Sequence, residues 1–278
     1  MLNLDCQRPL VMGILNITPD SFSDGGQLLS GSDPDLDKIL YRAEQLIREG
    51  ADLLDIGGES TRPGAEPLAP AVELARVVPV VAALNRRFAT PLSVDTSTPE
   101  VMTAAAHEGV AMINDVRALR RPGAMGAAAG AKLPVVLMHM QGRPATMQDE
   151  PSYADVVLEV RQFLDERVAS CIQAGIGRDR IIIDPGFGFG KNLAHNLALF
   201  KALPEFRTMG LPVMVGLSRK RMIGAITGRD TGDRVYGSAA LALLAAQKGV
   251  SIIRVHDVGA TVDVLKILAA TEGAWVHE

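Results

Sequence analysis

The sequence predicts an α/β fold, a TIM (β/α)8 barrel forming a single domain over residues 1–278. Short β-branched apolar runs alternate eight times with helical patterns, which implies parallel strands joined by right-handed crossovers. Eight such units match the count of a barrel and its typical length of about 250 residues. No shift in composition marks a linker. A doubly wound open sheet is the competing arrangement.

The units follow in order. Val11–Asn16 reads as a strand, and Asp35–Glu49 as an amphipathic helix ending at Gly50. Leu53–Gly57 is the second strand and Pro70–Phe88 the second helix. Leu92–Asp95 leads to a helix that opens at Thr98-Pro99-Glu100, with threonine at the cap and proline in the first turn. Val110–Asp115 precedes an alanine-rich helix at Pro122–Ala129. Val135–His139 precedes a long helix at Tyr153–Ala174, stopped by Gly175. Ile181–Asp184 precedes a helix near Leu193–Leu203. Val213–Leu217 precedes helices at Lys220–Thr227 and Arg234–Lys248. Ile252–His256 precedes the last helix, Thr261–Ala270.

Composition narrows the function. A 47% apolar content with only 4% aromatic residues calls for a large aliphatic core, and a formal net charge of -4 argues against a nucleic-acid footprint. No apolar window approaches the ~20 residues of a membrane span. Met1 to Pro9 lacks the pattern of a signal peptide. Cys6 and Cys171 have no paired spacing and fit a reducing compartment, so a soluble, cytoplasmic protein is expected. In that setting the glycosylation match at Asn16-Ile17-Thr18 is noise.

Every strand ends in a polar group: Asn16; Asp55, with Glu59-Ser60-Thr61-Arg62 beyond it; Asp95; Asn114-Asp115; His139; Asp184; Ser218-Arg219-Lys220; Arg254 and His256. In a barrel these ends converge on one mouth. The clearest case is Ile181-Ile182-Ile183-Asp184, cut off by Pro185 and the glycines up to Gly190, which leave room for a flat ligand beside Phe187 or Phe189. A helix-capping role for Asp184 is the plainer alternative. Asp95, Asn114 and Asp184 together suit the amino-pyrimidinone edge of a pterin or guanine, since carboxylates accept paired N–H groups and an amide both donates and accepts. Arg62, Arg254, His256 and the Ser218-Arg219-Lys220 turn suit an anion such as diphosphate, or alternatively salt bridges to the aspartates. Lys191 invites a phosphate-loop assignment, but Pro185 and Asn192 stand where that motif needs glycine and Ser or Thr. No structural zinc spacing is present, and His139 and His107 read as structural. A Mg²⁺ held mainly by diphosphate oxygens would need only one or two protein oxygens, for which Asn16 is best placed. The loops at 18–26 and 61–65 are turn-rich, either lids over the site or simple connectors.

These motifs together resemble dihydropteroate synthase. The resemblance rests on Asn16 to Gly26, Asp55 to Gly64, Ser93-Val94-Asp95-Thr96, Ile113-Asn114-Asp115 and Leu137-Met138-His139-Met140. It continues through Asp184 to Lys191, Gly216 to Lys220 and Arg254-Val255-His256-Asp257, so it runs from about residue 10 to residue 270. It implies a TIM-barrel transferase that joins a (7,8-dihydropterin-6-yl)methyl diphosphate to 4-aminobenzoate, releasing diphosphate. It also implies that Asp95, Asn114, Met138, Asp184, Phe189 and Lys220 hold the pterin. Asn16, Thr61, Arg62, Arg254 and His256 would hold the diphosphate, with Asn16 as the Mg²⁺ ligand. Phe22, Thr61, Arg62, Pro63, Phe189, Ser218 and Lys220 would surround the aminobenzoate. Asp95, Lys220, Arg254 and His256 would then stand nearest the chemistry. A homodimer and sensitivity to sulfonamides are further implications. The rivals are a pterin-binding methyltransferase acting on methyl-tetrahydrofolate, which has no need of the anion-binding residues, and a pterin-binding barrel without catalysis.

Overall fold

The computed structural model describes residues 8–18, 28–31, 33–60, 64, 68–142, 147 and 151–272. Eight parallel strands are present among the described residues: β1 (Leu10–Asn16), β2 (Leu53–Gly57), β3 (Leu92–Asp95), β4 (Met112–Asp115), β5 (Val135–Met138), β6 (Ile181–Asp184), β7 (Met214–Gly216) and β8 (Ile252–Val255). Their order in the sheet is β6-β5-β4-β3-β2-β1-β8-β7. The two ends meet through a parallel bridge between Ile183 and Val213, with Ile183 N–H donating to Pro212 O at 3.0 Å. The chain therefore forms the barrel that the strand–helix alternation predicts.

The helices are α1 (Leu36–Arg48), α2 (Pro70–Arg87), α3 (Pro99–His107), α4 (Ala124–Ala131), α5 (Val156–Gln173), α6 (Leu193–Lys201), α7 (Leu203–Arg207), α8 (Arg221–Thr227), α9 (Val235–Gln247) and α10 (Val258–Glu272). Local chemistry sets several starts. Asp155 accepts from Val157 N and Leu158 N at 2.9 and 3.1 Å, and Asn192 accepts from His195 N at 2.9 Å, so both cap orphan helix donors. Thr98 occupies the expected cap position of α3, but its hydroxyl donates to the buried carboxylate of Glu73 at 2.5 Å and does not cap. A short antiparallel pairing of Leu29–Ser30 with Asp33–Pro34 adds to the predicted elements, as does α7. No helix among the described residues is long and apolar enough to cross a membrane.

Alternation along the strands creates two cores and one mouth. Outward strand residues such as Val11, Leu54, Ile113 and Ile183 pack under the helices. Inward residues Met12, Leu53, Met112, Val136, Ile182, Met214 and Ile252 form a separate aliphatic plug inside the barrel. Side chains two residues apart on a strand share a face. One inward step toward the C-terminal ends therefore replaces that plug with Ile14, Asp55, Asn114, Met138, Asp184, Gly216 and Arg254. The switch from aliphatic to polar across a single layer builds a floor under a polar site.

Candidate active site

Above this floor lies a cavity of about 770 Å³. Ten residues expected at the site line it: Asn16, Asp95, Asn114, Met138, Asp184, Phe189, Ser218, Lys220, Arg254 and His256. Phe22, Thr61, Arg62 and Pro63, and most of the two turn-rich loops, lie outside the described residues.

One wall is built by the turn after β6. Asp184 Oδ1 accepts from Gly186 N at 2.7 Å, so the carboxylate stabilises its own turn and the cap of α6 falls to Asn192. Gly186 has φ +71°, and a Cβ there would meet His139 O at 1.9 Å, so only glycine fits against the end of β5. Lys191 is buried and points back into this turn. Its Nζ lies 2.9 Å from His139 Nδ1, 2.9 Å from Gly186 O and 3.0 Å from Phe189 O. With an ammonium as donor, His139 Nδ1 is the acceptor and the ring proton sits on Nε2. Asn196 Oδ1 accepts from Gly188 N, and Tyr153 Oη donates to Gly190 O, both at 2.8 Å. These clasps hold Phe189 at the rim, where the Lys220 ammonium sits 4.3 Å from the centre of its ring. Val116, Met138, Met140 and Met147 pack beside Phe189 and add an apolar surface.

The opposite wall is ionic. Arg254 reaches from β8 and donates through Nε to Asp55 Oδ2 at 2.6 Å and through Nη2 to Asp95 Oδ2 at 3.0 Å. Asn114 Nδ2 donates to the same Asp55 oxygen at 3.0 Å, and its own buried Oδ1 has no partner among the described residues. His256 Nδ1 lies 3.1 Å from Ser218 Oγ. Farther out, Glu59 receives Arg117 at 2.8 and 3.1 Å, and Arg117 also donates to Ser97 Oγ at 2.9 Å. This ties the segment after β2 to the loop after β4.

Burial governs the protonation of the cavity. It pushes the Asp95 carboxyl up to about 7 against the pull of Arg254, and Asp184 up to about 6 against the Gly186 N–H and Lys220. It lowers Lys220 to about 8, opposed by Asp184. His256 falls to about 3 through burial and then the neighbouring Arg254. Both aspartates are therefore readily protonated in the empty cavity, and hydrogen-bond donors from a ligand would favour their ionised forms.

Comparison with known proteins decides the family. The model for the family described as "Pterin binding enzyme" matches residues 12–256. The dihydropteroate synthase of Haemophilus influenzae is 52% identical over 271 residues, covering 98% of this chain and 97% of the relative. The chain belongs to the dihydropteroate synthase family. A Yersinia pestis dihydropteroate synthase solved with a sulfonamide drug superimposes with a TM-score of 0.93 at 50% identity, covering 98% and 97% of the two chains. A Xanthomonas albilineans dihydropteroate synthase in complex with 7,8-dihydropteroate gives 0.86 at 49% identity, covering 99% and 97%.

Against this family background, the structure brings the expected Asp95, Asn114 and Asp184 to one cavity and adds contacts that strand-end reasoning left without a role. Asp55 was visible at a strand end, but its hold on both Arg254 and Asn114 was not. Lys191 closes a structural clasp with His139 in place of a phosphate loop. Inward alternation on β2 was the available signal for Asp55; nothing in the sequence pairs Lys191 with His139.

Proposed function

We propose that the protein is a dihydropteroate synthase: it transfers a 7,8-dihydropterin-6-ylmethyl group from its diphosphate ester to 4-aminobenzoate. The observation that carries this is the joining of Asp95, Asn114 and Asp184 with Lys220, Arg254 and His256 around one cavity, within a chain about half identical to dihydropteroate synthases over nearly its full length. Asp184 and Asn114 receive the amino-pyrimidinone edge, and Met138 and Phe189 pack on the ring faces. Arg254 and His256, with Thr61 and Arg62, receive the diphosphate. Ser218, Lys220, Phe189, Phe22 and Pro63 border the aminobenzoate.

The C–O bond to diphosphate breaks first, its electron pair leaving with the phosphate. Positive charge develops on the methylene and spreads into the electron-rich dihydropterin. Asp95 and Asp184 stabilise that charge in a buried setting where water competes weakly. The neutral amine then forms the C–N bond and loses a proton, which needs no dedicated side-chain base. The reaction also requires that water be kept from the cation, which it would otherwise capture.

The proposal includes Mg²⁺. No cluster of three or more His, Cys, Asp or Glu able to hold a metal exists among the described residues. Asn16 lines the cavity, and a carboxamide oxygen suits a hard cation held chiefly by substrate oxygens. When bound, the ion would neutralise charge on the departing diphosphate. A homodimer, a cytoplasmic location and competition by sulfonamides against 4-aminobenzoate complete the proposal. The test mixes purified protein, Mg²⁺ and the pterin diphosphate, with and without 4-aminobenzoate, and follows diphosphate and dihydropteroate. Amine-dependent formation of both is expected; release that ignores the amine, or none, refutes the assignment. The methyltransferase alternative is disfavoured because the relatives about half identical to this chain are named dihydropteroate synthases.

A further inference from the structure

Asp55 is completely buried inside the barrel, between Leu53 of the aliphatic plug and Gly57 at the strand end. It is not among the residues that line the cavity. A carboxylate within a strand of otherwise aliphatic residues carries a large desolvation cost unless specific donors meet it. The donors that meet it are both site groups: Arg254 Nε at 2.6 Å and Asn114 Nδ2 at 3.0 Å, on the same oxygen.

The chemistry of these contacts is directional. A carboxylate paired with a guanidinium offers acceptors only, so the end of the Asn114 amide that faces it must be the NH2. The Asn114 carbonyl oxygen is thereby turned to the other side, buried and without a partner among the described residues. An unpartnered buried acceptor on a cavity wall calls for a ligand donor. Arg254 is oriented by the same carboxylate: with Nε on Asp55 and Nη2 on Asp95, the plane of its guanidinium is fixed across the cavity wall.

We propose that Asp55 is a positioning residue for this active site. It touches no substrate, but it fixes the Asn114 amide with its oxygen toward the ligand, as acceptor for a ring N–H, and it sets the plane of Arg254. The inference rests on the pterin site proposed above and deepens it: the ligand atom that meets the Asn114 oxygen must be a donor. A ring that presents only an acceptor to that oxygen would be rejected.

The experiment is a double-mutant cycle read as affinity for 6-hydroxymethyl-7,8-dihydropterin by calorimetry. The proteins are wild type, Asp55→Asn, Asn114→Ala and the double variant, each checked by thermal unfolding. Asp55→Asn is nearly isosteric, yet its amide can pair with either end of Asn114, so the amide is free to flip. Each single change should weaken binding about 10- to 100-fold, the range for a stranded buried hydrogen-bonding group. The double variant should be no more than about threefold worse than the weaker single, because both act through the same contact. Losses that multiply would overturn the inference, leaving Asp55 only a structural part, as would wild-type affinity in Asp55→Asn beside a damaged Asn114→Ala. Unchanged affinity in Asn114→Ala would instead defeat the pterin site and the inference together. Should Asp55→Asn fail to fold, Asn114→Asp serves: it keeps an acceptor for ligand but sets a second carboxylate against Asp55. It should bind no better than Asn114→Ala, and retained affinity would overturn the inference.

Discussion

Lys191→Met tests whether the buried clasp organises the wall that carries Asp184 and Phe189. Lys191 is 3% exposed, and its Nζ lies within 3.0 Å of three acceptors: His139 Nδ1, Gly186 O and Phe189 O. Methionine keeps most of the stem volume and strands those acceptors. At about 1–3 kcal/mol for each stranded buried acceptor the gross cost is about 3–9 kcal/mol. Part of it is offset, because the variant no longer buries an ammonium, whose desolvation costs several kcal/mol. A net loss of about 2–4 kcal/mol remains, which for a chain of this size lowers Tm by about 3–7 °C. Thermal unfolding followed by circular dichroism measures that shift, and calorimetry with a pterin alcohol measures the accompanying loss of affinity. A Tm within about 1 °C of wild type together with unaltered pterin binding would refute the reasoning.

Three further outcomes are expected. Asp184→Asn should weaken pterin binding about 100-fold in calorimetry, since an amide offers one acceptor oxygen in place of two and brings a donor of its own; near-normal affinity would contradict the pose. Arg254→Ala leaves Asp55 and Asp95 without their shared cation, so both pterin alcohol and pterin diphosphate should bind less well, the diphosphate by at least about tenfold more; equal losses would remove Arg254 from the anion site. Affinity for the pterin alcohol should rise from pH 5 to about 7.5. In the free protein the carboxyls of Asp95 and Asp184 are raised to about 7 and about 6, while the bound form needs both ionised. Binding therefore expels protons below those values, by up to about tenfold in affinity per pH unit per group. A flat profile would mean that neither carboxylate meets the ligand.

The same raised values act on stability with the opposite sign to an aspartate whose pKa folding lowers. Below about pH 7 and about pH 6 the folded protein retains protons that the unfolded chain, with ordinary carboxyls, has released. Their contribution in the ligand-free protein therefore weakens stability as pH rises from about 4 to 7. The cavity is kept for binding at some expense to the empty fold.

Much of this was legible in the sequence because the signals are local. The bounds of Leu53–Gly57, Leu92–Asp95 and Ile181–Asp184 agree with the structure to the residue, each a short apolar run cut off by a polar or glycine-rich turn. Of the ten expected site residues that line the cavity, the rule that barrel strands deliver function at their C-terminal ends located eight, and the family resemblance supplied Met138 and Phe189. The long helix predicted from Tyr153 begins only at Val156, since Asp155 supplies the cap and Tyr153 reaches across to Gly190 O. The pairing of Leu29–Ser30 with Asp33–Pro34 is too short to leave a period. Arg254 was readable as an anion ligand or as a salt-bridge partner, and the structure shows it paired with Asp55 and Asp95. Such pairing depends on strands far apart in sequence meeting inside the barrel, as does that of Lys191 with His139, and neither has a local signature.

A crystal structure of this protein with 7,8-dihydropteroate would test the central claim most directly. The account predicts the pterin edge in hydrogen-bond contact with Asp184 and Asn114, Phe189 and Met138 against the ring, and the benzoate directed past Lys220 toward Ser218. Product bound elsewhere, or a pterin edge more than ~3.5 Å from Asp184, beyond hydrogen-bond reach, would contradict it.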